Sequence, residues 1–365
     1  MSQLSNQDLE RLYRRFEASP SAVEIRPFGS GHINSTYLVR LLDGSEARYV
    51  LQRISSAAFH DPDAVMENIR RVTEHLRRRD PSPDSSLRFC TAADGSACLH
   101  DESGAWRLYR FVDGLCLDKA ESPQDFYECG YGFGAFQRDL ADFPAAELHE
   151  TIPDFHNTPK RLSALKKAAD DDVCRRLDGV RAELAFALAR EPFTHILTDA
   201  HAAGRLPLRV THNDTKLNNV LLDKTTRKAL CVIDLDTVMS GFSVTDFGDA
   251  IRFGANTAAE DEPELSKVRL DLTLFRAFTE GYLAGCDRCL TETELSLLPE
   301  GAKMMTLECG IRFLTDYLCG DTYFHITLPG QNLLRCRTQF RLVEEMEAHW
   351  EEMKDIVRDC AGSRG

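Results

Sequence analysis

The chain segment that begins at His212 and ends at Asp234 combines residue types and spacings that suit transfer of a phosphoryl group. His212, Asp214 and Asn219 fill the pattern HxDxxxxN, and Asp234 follows twenty residues after Asp214. In that pattern the aspartate lies beside the attacking hydroxyl group and the asparagine is an amide ligand of a metal ion. Carboxylate and amide oxygens are the ligands that Mg²⁺ prefers. The spacing therefore predicts Asp214 as the catalytic carboxylate, and Asn219 and Asp234 as magnesium ligands.

A β-hairpin is predicted within this segment. The apolar runs 219–223 and 229–234 are separated by a polar turn, which is typical of two antiparallel strands. Such a hairpin would return Asp234 to the loop that carries Asp214. A buried histidine, an aspartate in a turn and an asparagine before a strand are each common as structural residues, so only their joint spacing is specific. We expect His212 itself to have a structural role.

A second acidic segment, 245–249, contains the triplet D-F-G, which is a known magnesium-binding motif. Asp246 lies 32 residues after Asp214, and no buried strand is predicted directly before it. We therefore expect Asp246 and Asp249 to cap and brace the start of a helix near residue 250, and not to bind the metal.

Together these features resemble the aminoglycoside phosphotransferase and choline kinase branch of the protein-kinase-like fold, in which the metal-binding aspartate lies in an I-D-x-D segment. The likeness narrows to the bacterial N-acetylhexosamine 1-kinases and extends over about residues 25–345. The segments that carry it are 49–54, 150–156, 212–236, 246–254 and 312–317. The resemblance implies phosphorylation of N-acetylglucosamine and N-acetylgalactosamine at the anomeric C1 hydroxyl, with ATP as co-substrate and Mg²⁺ as cofactor, for sugar salvage.

The order of predicted elements favours an α+β chain. The chain opens with a predicted helix in which Ser5 and Asp8 have the spacing of a capping box, and short β-like runs follow, with one helix at about 61–79. After residue 114 the pattern becomes mostly helical, and the predicted helices include 173–190, 293–319 and 335–360. The resemblance implies a protein-kinase-like two-lobed fold, with a small antiparallel sheet in the N-terminal lobe and a larger, mainly helical C-terminal lobe. The expected boundaries are 1–108 for the nucleotide-binding lobe, 109–115 for the hinge, and 116–365 for the catalytic and substrate-binding lobe.

On the nucleotide side, a glycine-containing turn at 28–36 is expected to cover the phosphates, because glycine lets backbone N–H groups approach them closely. The protein-kinase-like fold has a lysine on its third strand, but here Gln52 stands at that place, with Arg53 on the opposite face. Glu67 is the candidate partner of such a cation, and an exposed helix glutamate is an equal alternative. The adenine is expected at the hinge. The predicted nucleotide-binding residues are Gly29, Ser30, Gly31, Asn34, Thr36, Gln52, Arg53, Glu67, Arg110, Phe111 and Val112.

On the acceptor side, the resemblance implies that the sugar lies between the catalytic loop and the helical lobe. Lys216 is expected to neutralise the charge of the transferred phosphoryl group beside Asp214. The predicted substrate-binding residues are Thr237, Phe253, Arg312, Asp316 and Tyr317. An alternative stays open for part of this set, because Glu308, Arg312 and Asp316 are spaced like a surface ladder of ion pairs on a helix.

The composition excludes several classes of protein. The 365 residues carry a formal net charge of −14 and are 43% hydrophobic, which is typical of a soluble globular protein and disfavours nucleic acid as a partner. No apolar run approaches the ~18–20 residues of a membrane span, and we expect no secretion signal. Twelve cysteines then indicate reduced thiols and a cytoplasmic location. The CxxC spacing of Cys286 and Cys289 is not sufficient for a zinc site, and no obligate protein partner is evident.

Three functions stay open on the sequence alone. The leading one is the sugar 1-kinase, and the second is a kinase of the same fold acting on an aminoglycoside, choline or homoserine. Arg312 and Thr237 fit a neutral polyol better than those cationic acceptors. The third, prompted by the missing strand lysine, is a catalytically silent, nucleotide-binding regulator. The presence of Asp214, Asn219 and Asp234 speaks against it.

Overall fold

The computed structural model describes residues 4–29 and 33–362. The N-terminal part contains six strands, namely β1 (Val23–Pro27), β2 (Ser35–Leu41), β3 (Arg48–Ile54), β4 (Phe89–Cys90), β5 (Leu99–Asp101) and β6 (Gly104–Arg110). They form one antiparallel sheet in the order β1-β2-β3-β6-β4, and β5 also pairs with β6. This sheet confirms the one predicted for the N-terminal lobe.

Two helices cover opposite faces of the sheet. Helix α1 (Asn6–Tyr13) begins with the predicted capping box, and its apolar face is buried against Leu51. Helix α2 (Pro62–Arg79) matches the predicted helix at about 61–79, begins after its N-cap Asp61, and has its apolar face buried against Ile54. Because side chains alternate along a strand, Leu51 and Ile54 of β3 point to opposite faces. The sheet is therefore enclosed by α1 on one side and α2 on the other.

The C-terminal part is mainly helical and carries two short antiparallel strand pairs. Its helices are α3 (Pro123–Asp139), α4 (Thr158–Asp171), α5 (Arg181–Leu188), α6 (Glu191–Thr194), α7 (Ile196–Ala202), α8 (Ser243–Gly254), α9 (Leu272–Cys286), α10 (Glu292–Ser296), α11 (Leu298–Leu318), α12 (Gln331–Ala348) and α13 (Trp350–Gly362). Its strands are β7 (Arg209–Thr211), β8 (Val220–Leu222), β9 (Ala229–Val232) and β10 (Met239–Gly241), paired β7 with β10 and β8 with β9. Among the described residues, no helix combines the length and the apolar character that a bilayer crossing requires.

The pair β8–β9 confirms the hairpin predicted between the catalytic loop and Asp234. The lobe boundaries predicted from the sequence stay a prediction. Strand β6 extends to Arg110, so the first two residues of the expected hinge, Tyr109 and Arg110, belong to the sheet. The segment after β6 joins the C-terminal part at once, because Leu115 forms an isolated β-bridge with Leu222 of β8.

Helix α8 is held against α11 by a close backbone approach at two glycines. A Cβ atom on Gly248 would lie 2.2 Å from the carbonyl oxygen of Gly301, and a Cβ atom on Gly301 would lie 2.1 Å from the carbonyl oxygen of Val244. Neither position accepts a larger residue unless the backbone shifts. Since α8 carries Asp246 and Asp249, this contact helps to position both carboxylates.

Several helical segments are interrupted where the sequence pattern predicted one helix. The predicted helix 293–319 is divided into α10 and α11, because Pro299 cannot continue a preceding helix. The predicted helix 335–360 is divided at His349 into α12 and α13. The predicted helix 173–190 contains a separate 3₁₀ turn before α5. A hydrophobic stripe can continue across such breaks, so periodicity alone does not reveal them.

Candidate active site

The loop between β7 and β8 is anchored by His212. The imidazole is buried, and its Nε2 donates a hydrogen bond to the carbonyl oxygen of Ile233 over 2.8 Å. Its other nitrogen then accepts from the backbone N–H of Asp214, 3.3 Å away. The ring also packs edge-on against Phe133. His212 thus ties the loop to the residue before Asp234, which supports the structural role predicted for it.

Asp214, Lys216 and Asn219 lie together in this loop. The ammonium group of Lys216 is 2.8 Å from Oδ1 of Asp214. Nδ2 of Asn219 donates to the backbone carbonyl of Asp214 over 2.8 Å and to its Oδ2 over 3.2 Å. Burial opposes the charge of Lys216, but the Asp214 carboxylate outweighs that effect and raises the pKa of Lys216. The lysine therefore keeps its positive charge beside the carboxylate predicted to be catalytic.

Asp234 follows β9 in the left-handed region, with φ of 59°. Its side chain is open to the cleft, and none of the described residues donates a hydrogen bond to it. The walls of the cleft still remove much of the water around this carboxyl group, and that desolvation is the largest of the causes that raise its pKa to about 6. The negative charges of Asp236 and Asp214 also contribute to this rise. An unpartnered carboxylate beside two others is what a divalent cation would neutralise. Since the amide nitrogen of Asn219 is used by Asp214, its oxygen is the end left for such an ion, so the donor set fits Mg²⁺.

Asp236 is a site residue that the sequence analysis missed. Its carboxylate is buried, and it accepts hydrogen bonds from the amide of Asn34 over 2.6 Å and from the guanidinium of Arg107. Arg107 also donates to Oε1 of Gln52. Asn34 and Gln52 were predicted to bind nucleotide directly, and in the structure both instead belong to this network. Arg107 could have been found only from the pairing register of β3 and β6, which the sequence pattern does not provide.

The other residues of the sheet that were predicted to bind nucleotide are Thr36 and Arg53, and the side chains of both are bound to protein groups. Thr36 accepts a hydrogen bond from Gln52 over 2.9 Å. Arg53 donates to Ser35 and to the carbonyl oxygen of Ser103. Gly29 has φ of +81°, a conformation that glycine adopts without strain. The predictions for Ser30 and Gly31 lie outside the described residues.

Glu67 is not the partner of a strand cation, and this prediction is wrong. Its carboxylate is bound to His149, 2.9 Å away, on the exposed face of α2. The equal alternative, an exposed helix glutamate, describes it correctly. The cation of the network, Arg107, is paired with Asp236 and not with any acid of α2.

At the predicted hinge, Phe111 and Phe28 form an apolar wall. Their rings pack edge-on with centroids 5.7 Å apart, and the guanidinium of Arg48 lies 4.3 Å from the ring of Phe111. Val112 is buried in the core, while the side chain of Arg110 is exposed at the end of β6. The apolar surface is therefore provided by Phe111 together with Phe28, which the sequence analysis did not select.

Asp246 braces the catalytic loop. It is buried, and its two carboxylate oxygens accept the backbone N–H groups of His212 and Asn213, each over 2.8 Å. Gln137 donates a third bond over 3.2 Å. The bracing role was predicted, but the capping role was wrong, because α8 begins earlier than expected, at Ser243. The strand β10 also precedes this segment, which the sequence analysis did not expect.

Asp249 braces the same loop one turn further along α8. Its carboxylate accepts from the backbone N–H of Thr215 over 3.1 Å and from Nε of Arg252 over 2.9 Å. Burial opposes ionisation, but the charges of Arg252 and Lys216 outweigh it and lower the pKa of Asp249. Asp249 does not cap the helix either, since it lies in its interior.

The polar groups of Thr237, a predicted contact of the acceptor, are bound within the protein. Its hydroxyl group donates to the carbonyl oxygen of His212 over 2.6 Å. Its own carbonyl oxygen accepts from the side-chain amide of Asn213 over 2.8 Å. Through these two hydrogen bonds, Thr237 joins the segment after Asp234 to the catalytic loop.

Phe253 lines a cavity of about 290 Å³ beside the catalytic loop. Leu217 of the loop forms one wall, and Asp118, Arg252 and Gln339 contribute polar groups. This position keeps Phe253 as a candidate contact of the acceptor.

Arg312 lines a second cavity, of about 240 Å³, together with Arg161 and Tyr323. Its guanidinium lies 3.4 Å from the hydroxyl group of Tyr323 and 5.4 Å from the centre of the Phe155 ring. The residue next to Phe155, His156, is 3.2 Å from the carbonyl oxygen of Asn213 and so connects this cavity to the catalytic loop.

Asp316 lines this cavity, but its carboxylate is engaged by protein groups, and Tyr317 does not line the cavity, contrary to its predicted role. The carboxylate of Asp316 accepts the backbone N–H groups of Thr322, Tyr323 and Phe324 and holds that loop. The ring of Tyr317 is stacked under the guanidinium of Arg176, 4.6 Å away. Tyr323 is the tyrosine that lines the cavity beside Arg312. The path of the loop after α11 decides this, and the sequence carries no signal for it.

The alternative of a surface ladder does not describe α11. Glu308 is fully buried and binds His156 over 2.8 Å and Thr158 over 2.6 Å. Arg312 and Asp316 have the partners given above, each outside the helix. The three residues share one face of α11: Glu308 contacts His156 and Thr158, whereas Arg312 and Asp316 both contact the loop that follows α11.

The comparisons with known proteins come from sequence and from structure. The sequence model of the phosphotransferase enzyme family matches residues 24–282. A microcompartment-associated aminopropanol kinase is 17% identical, with 96% of this chain and 99% of that chain covered and a TM-score of 0.63. A choline kinase from Cryptosporidium parvum is 14% identical, with 96% and 97% covered and a TM-score of 0.62. An amicoumacin kinase in complex with AMP-PNP and Ca²⁺ is 11% identical, with 93% of each chain covered and a TM-score of 0.59. These likenesses confirm the two-lobed, protein-kinase-like α+β fold.

Proposed function

Since the chain belongs to the phosphotransferase enzyme family, we propose that it transfers the terminal phosphoryl group of ATP to a hydroxyl group of a neutral sugar. The single observation that carries the proposal is the loop in which Asp214, Lys216 and Asn219 lie together beside the unpartnered carboxylate of Asp234. A carboxylate near the acceptor, a cation and two oxygen ligands are what phosphoryl transfer requires.

Each residue of this loop has a distinct part in the proposed reaction. Asp214 orients the acceptor hydroxyl and accepts its proton. Lys216 neutralises charge on the transferred group. Asn219 and Asp234 would hold Mg²⁺, which supplies charge neutralisation on the phosphates when it is bound. Phe28 and Phe111 offer the apolar surface against which a purine could pack.

The cavity beside Arg312 supports a neutral acceptor. Two guanidinium groups, those of Arg161 and Arg312, line it together with the hydroxyl group of Tyr323. Its one acidic residue, Asp316, has its carboxylate engaged by backbone N–H groups of the neighbouring loop. An ammonium acceptor would meet two like charges there, without a free carboxylate to balance them. Hydroxyl and acyl oxygens, in contrast, accept hydrogen bonds from guanidinium groups.

We propose N-acetylhexosamines as the acceptors, phosphorylated at the anomeric C1 hydroxyl. The support is the sequence resemblance to the bacterial N-acetylhexosamine 1-kinases, together with the neutral-acceptor chemistry of the cavity beside Arg312. In this proposal the protein acts in the cytoplasm in sugar salvage. A kinase that acts on choline, an aminoglycoside or homoserine is the alternative that the experiment must separate.

The experiment is a panel of acceptors with ATP and Mg²⁺, assayed by ADP release. The panel contains N-acetylglucosamine, N-acetylgalactosamine, glucose, choline, aminopropanol, homoserine and kanamycin. We expect turnover of the two N-acetylhexosamines and phosphate on C1 of the product, as located by ³¹P NMR. Faster turnover of any cationic acceptor would overturn the assignment of the acceptor. Absence of turnover with every hydroxyl compound, while ATP still binds, would favour the silent regulator.

A further inference from the structure

We propose that Arg107 of β6 replaces the missing strand lysine as the cation of the nucleotide site, acting as a positioning residue for the segment that contains Asp234 and Asp236. The inference rests on the proposed function. The third strand of a kinase provides a lysine for the phosphates, and here the residue at that place is the neutral Gln52. Its neighbour in sequence, Arg53, would be the simplest substitute.

The register of the sheet brings Arg107, and not Arg53, to the correct face. Strands β3 and β6 pair in antiparallel fashion with Gln52 directly opposite Arg107, whereas Arg53 is opposite Trp106. Directly opposed residues share a face of the sheet, and successive residues alternate. Arg53 accordingly donates to Ser35 and Ser103 on the other face.

Gln52 acts as the support of the guanidinium group. Nε and one terminal nitrogen of Arg107 donate to Oε1 of Gln52 over 2.9 and 2.6 Å, and the amide of Gln52 donates to Thr36 over 2.9 Å. These bonds orient the planar fork of the arginine, which leaves its other terminal nitrogen to bind Asp236. A glutamine at the lysine position is thus matched to an arginine on the neighbouring strand.

The contact with Asp236 reaches the metal-binding segment. Arg107 and Asp236 are 3% and 5% exposed, so each is a buried charge that needs the other. The second oxygen of Asp236 is bound by Asn34, next to the glycine-containing turn. Asp236 is two residues after Asp234, so this clamp sets the position of the Asp234 backbone relative to the sheet.

The charges of the cleft also require a cation at this point. Asp234 and Asp236 are two residues apart, and His212 bonds the loop that carries Asp214 to Ile233, directly before Asp234. The triphosphate of ATP would add further negative charge to these three carboxylates. Lys216 is paired with Asp214, on the acceptor side. Arg107 provides the corresponding positive charge on the side of the sheet. Without it, Asp236 would be a buried, uncompensated carboxylate beside the phosphates, and ATP binding would weaken.

The test uses the full chain and measures binding by calorimetry, without acceptor and with and without Mg²⁺. The variants are Arg107→Gln, the double variant Gln52→Lys/Arg107→Gln, which moves the cation back to β3, and the matched control Arg53→Gln on the opposite face. We expect Arg107→Gln to weaken ATP binding at least tenfold and to leave adenosine binding unchanged. The double variant should recover most of the ATP affinity, and Arg53→Gln should bind ATP as the unmodified protein does.

Two results would overturn the inference. One is an Arg107→Gln variant that is folded and binds ATP with unchanged affinity. The other is a double variant that is folded but recovers no ATP affinity, because a purely structural arginine would not be replaced by a lysine on another strand. If Arg107→Gln does not fold, the test rests on the double variant. A ratio of ATP affinity to adenosine affinity close to that of the unmodified protein supports the inference, and a ratio at least tenfold lower contradicts it. Failure of the unmodified protein to bind ATP would instead refute the proposed function.

Discussion

Nδ2 of Asn34 donates a hydrogen bond to Oδ2 of Asp236 over 2.6 Å, although the two residues are 202 positions apart in the sequence. The other end of the same amide accepts from the backbone N–H of Ser55 over 2.9 Å. Asn34 therefore connects the glycine-containing turn, the end of β3 and the segment after Asp234. A substitution that moves any one of these three segments should therefore also displace the other two.

The first prediction concerns this connection. Asn34→Asp places a carboxylate against the carboxylate of Asp236, so a hydrogen bond worth about 1.5–3 kcal/mol is replaced by repulsion. We expect the KM for ATP to rise about tenfold or more in steady-state assays, with the KM for the acceptor little changed. The control is Asn6→Asp, an exposed position in the first turn of α1, where a negative charge is favourable. An unchanged KM for ATP in folded Asn34→Asp would show that the connection is not needed for nucleotide binding.

The second prediction separates catalysis from nucleotide binding. Asp214→Asn keeps the shape of the side chain but cannot accept a proton, so turnover should fall about 10²–10⁴-fold. ATP affinity, measured by calorimetry, should stay within about threefold, because the metal ligands are assigned to Asn219 and Asp234. If ATP binding were lost together with turnover, Asp214 would belong to the nucleotide site and not to the acceptor site.

The third prediction concerns the D-F-G segment. In Asp246→Asn, an amide NH₂ group must face the backbone N–H of His212 or Asn213, so one buried donor loses its acceptor. We expect the free energy of unfolding in urea to fall by about 1–3 kcal/mol. Turnover per folded molecule should fall less than in Asp214→Asn. An exchange of phenotypes between these two variants would contradict the bracing role of Asp246 and the choice of the segment around Asp234 as part of the active site.

The fourth prediction compares Tyr323, in the loop after α11, with Tyr317, in the last turn of that helix. Tyr323→Phe removes the hydroxyl group that lies 3.4 Å from Arg312 in the cavity. The KM for the sugar should rise about fivefold to tenfold, the equivalent of one hydrogen bond, with the KM for ATP unchanged. Tyr317→Phe is the matched control, since that ring is stacked on Arg176 and should leave both KM values unchanged. The opposite pattern would place the acceptor on the other face of α11.

The fifth prediction is a dependence of stability on pH at Glu308. Burial opposes ionisation of this carboxyl group, but the neighbouring His156, then Arg312 and Thr158, outweigh it and lower the pKa of Glu308. The unfolded value is about 4.3. A carboxyl group with a lowered pKa in the folded protein stabilises it above the unfolded pKa, and this stabilisation is lost as the pH falls further.

We therefore expect Glu308→Gln to lower the free energy of unfolding by about 1.5–3 kcal/mol at pH 7. The difference from the unmodified protein should shrink as the pH falls below about 4. Glu74→Gln, which breaks an exposed pair with Arg70 on α2, is the control and should cost less than about 0.5 kcal/mol at either pH. A difference for Glu308→Gln that is the same at pH 3.5 and pH 7 would contradict the assignment.

The sequence alone determined those features of this protein that depend on short-range pattern. The spacing of Asp214, Asn219 and Asp234, with a hairpin of two apolar runs between the last two, was sufficient to predict that Asp234 returns to the loop of the other two residues, because a hairpin brings the chain back to where it began. The capping box of α1 was predicted correctly for the same reason, because it depends on hydrogen bonds between residues three positions apart.

Only the tertiary structure decided which distant side chains meet. Arg107 reaches the site because β6 pairs with β3 in one register, and a shift of one residue would have turned it to the opposite face. Tyr323, and not Tyr317, lines the cavity beside Arg312, because Asp316 binds the backbone of the loop that carries Tyr323. Strand register and loop path are set by the packing of the whole core, and no local run of residues encodes either of them.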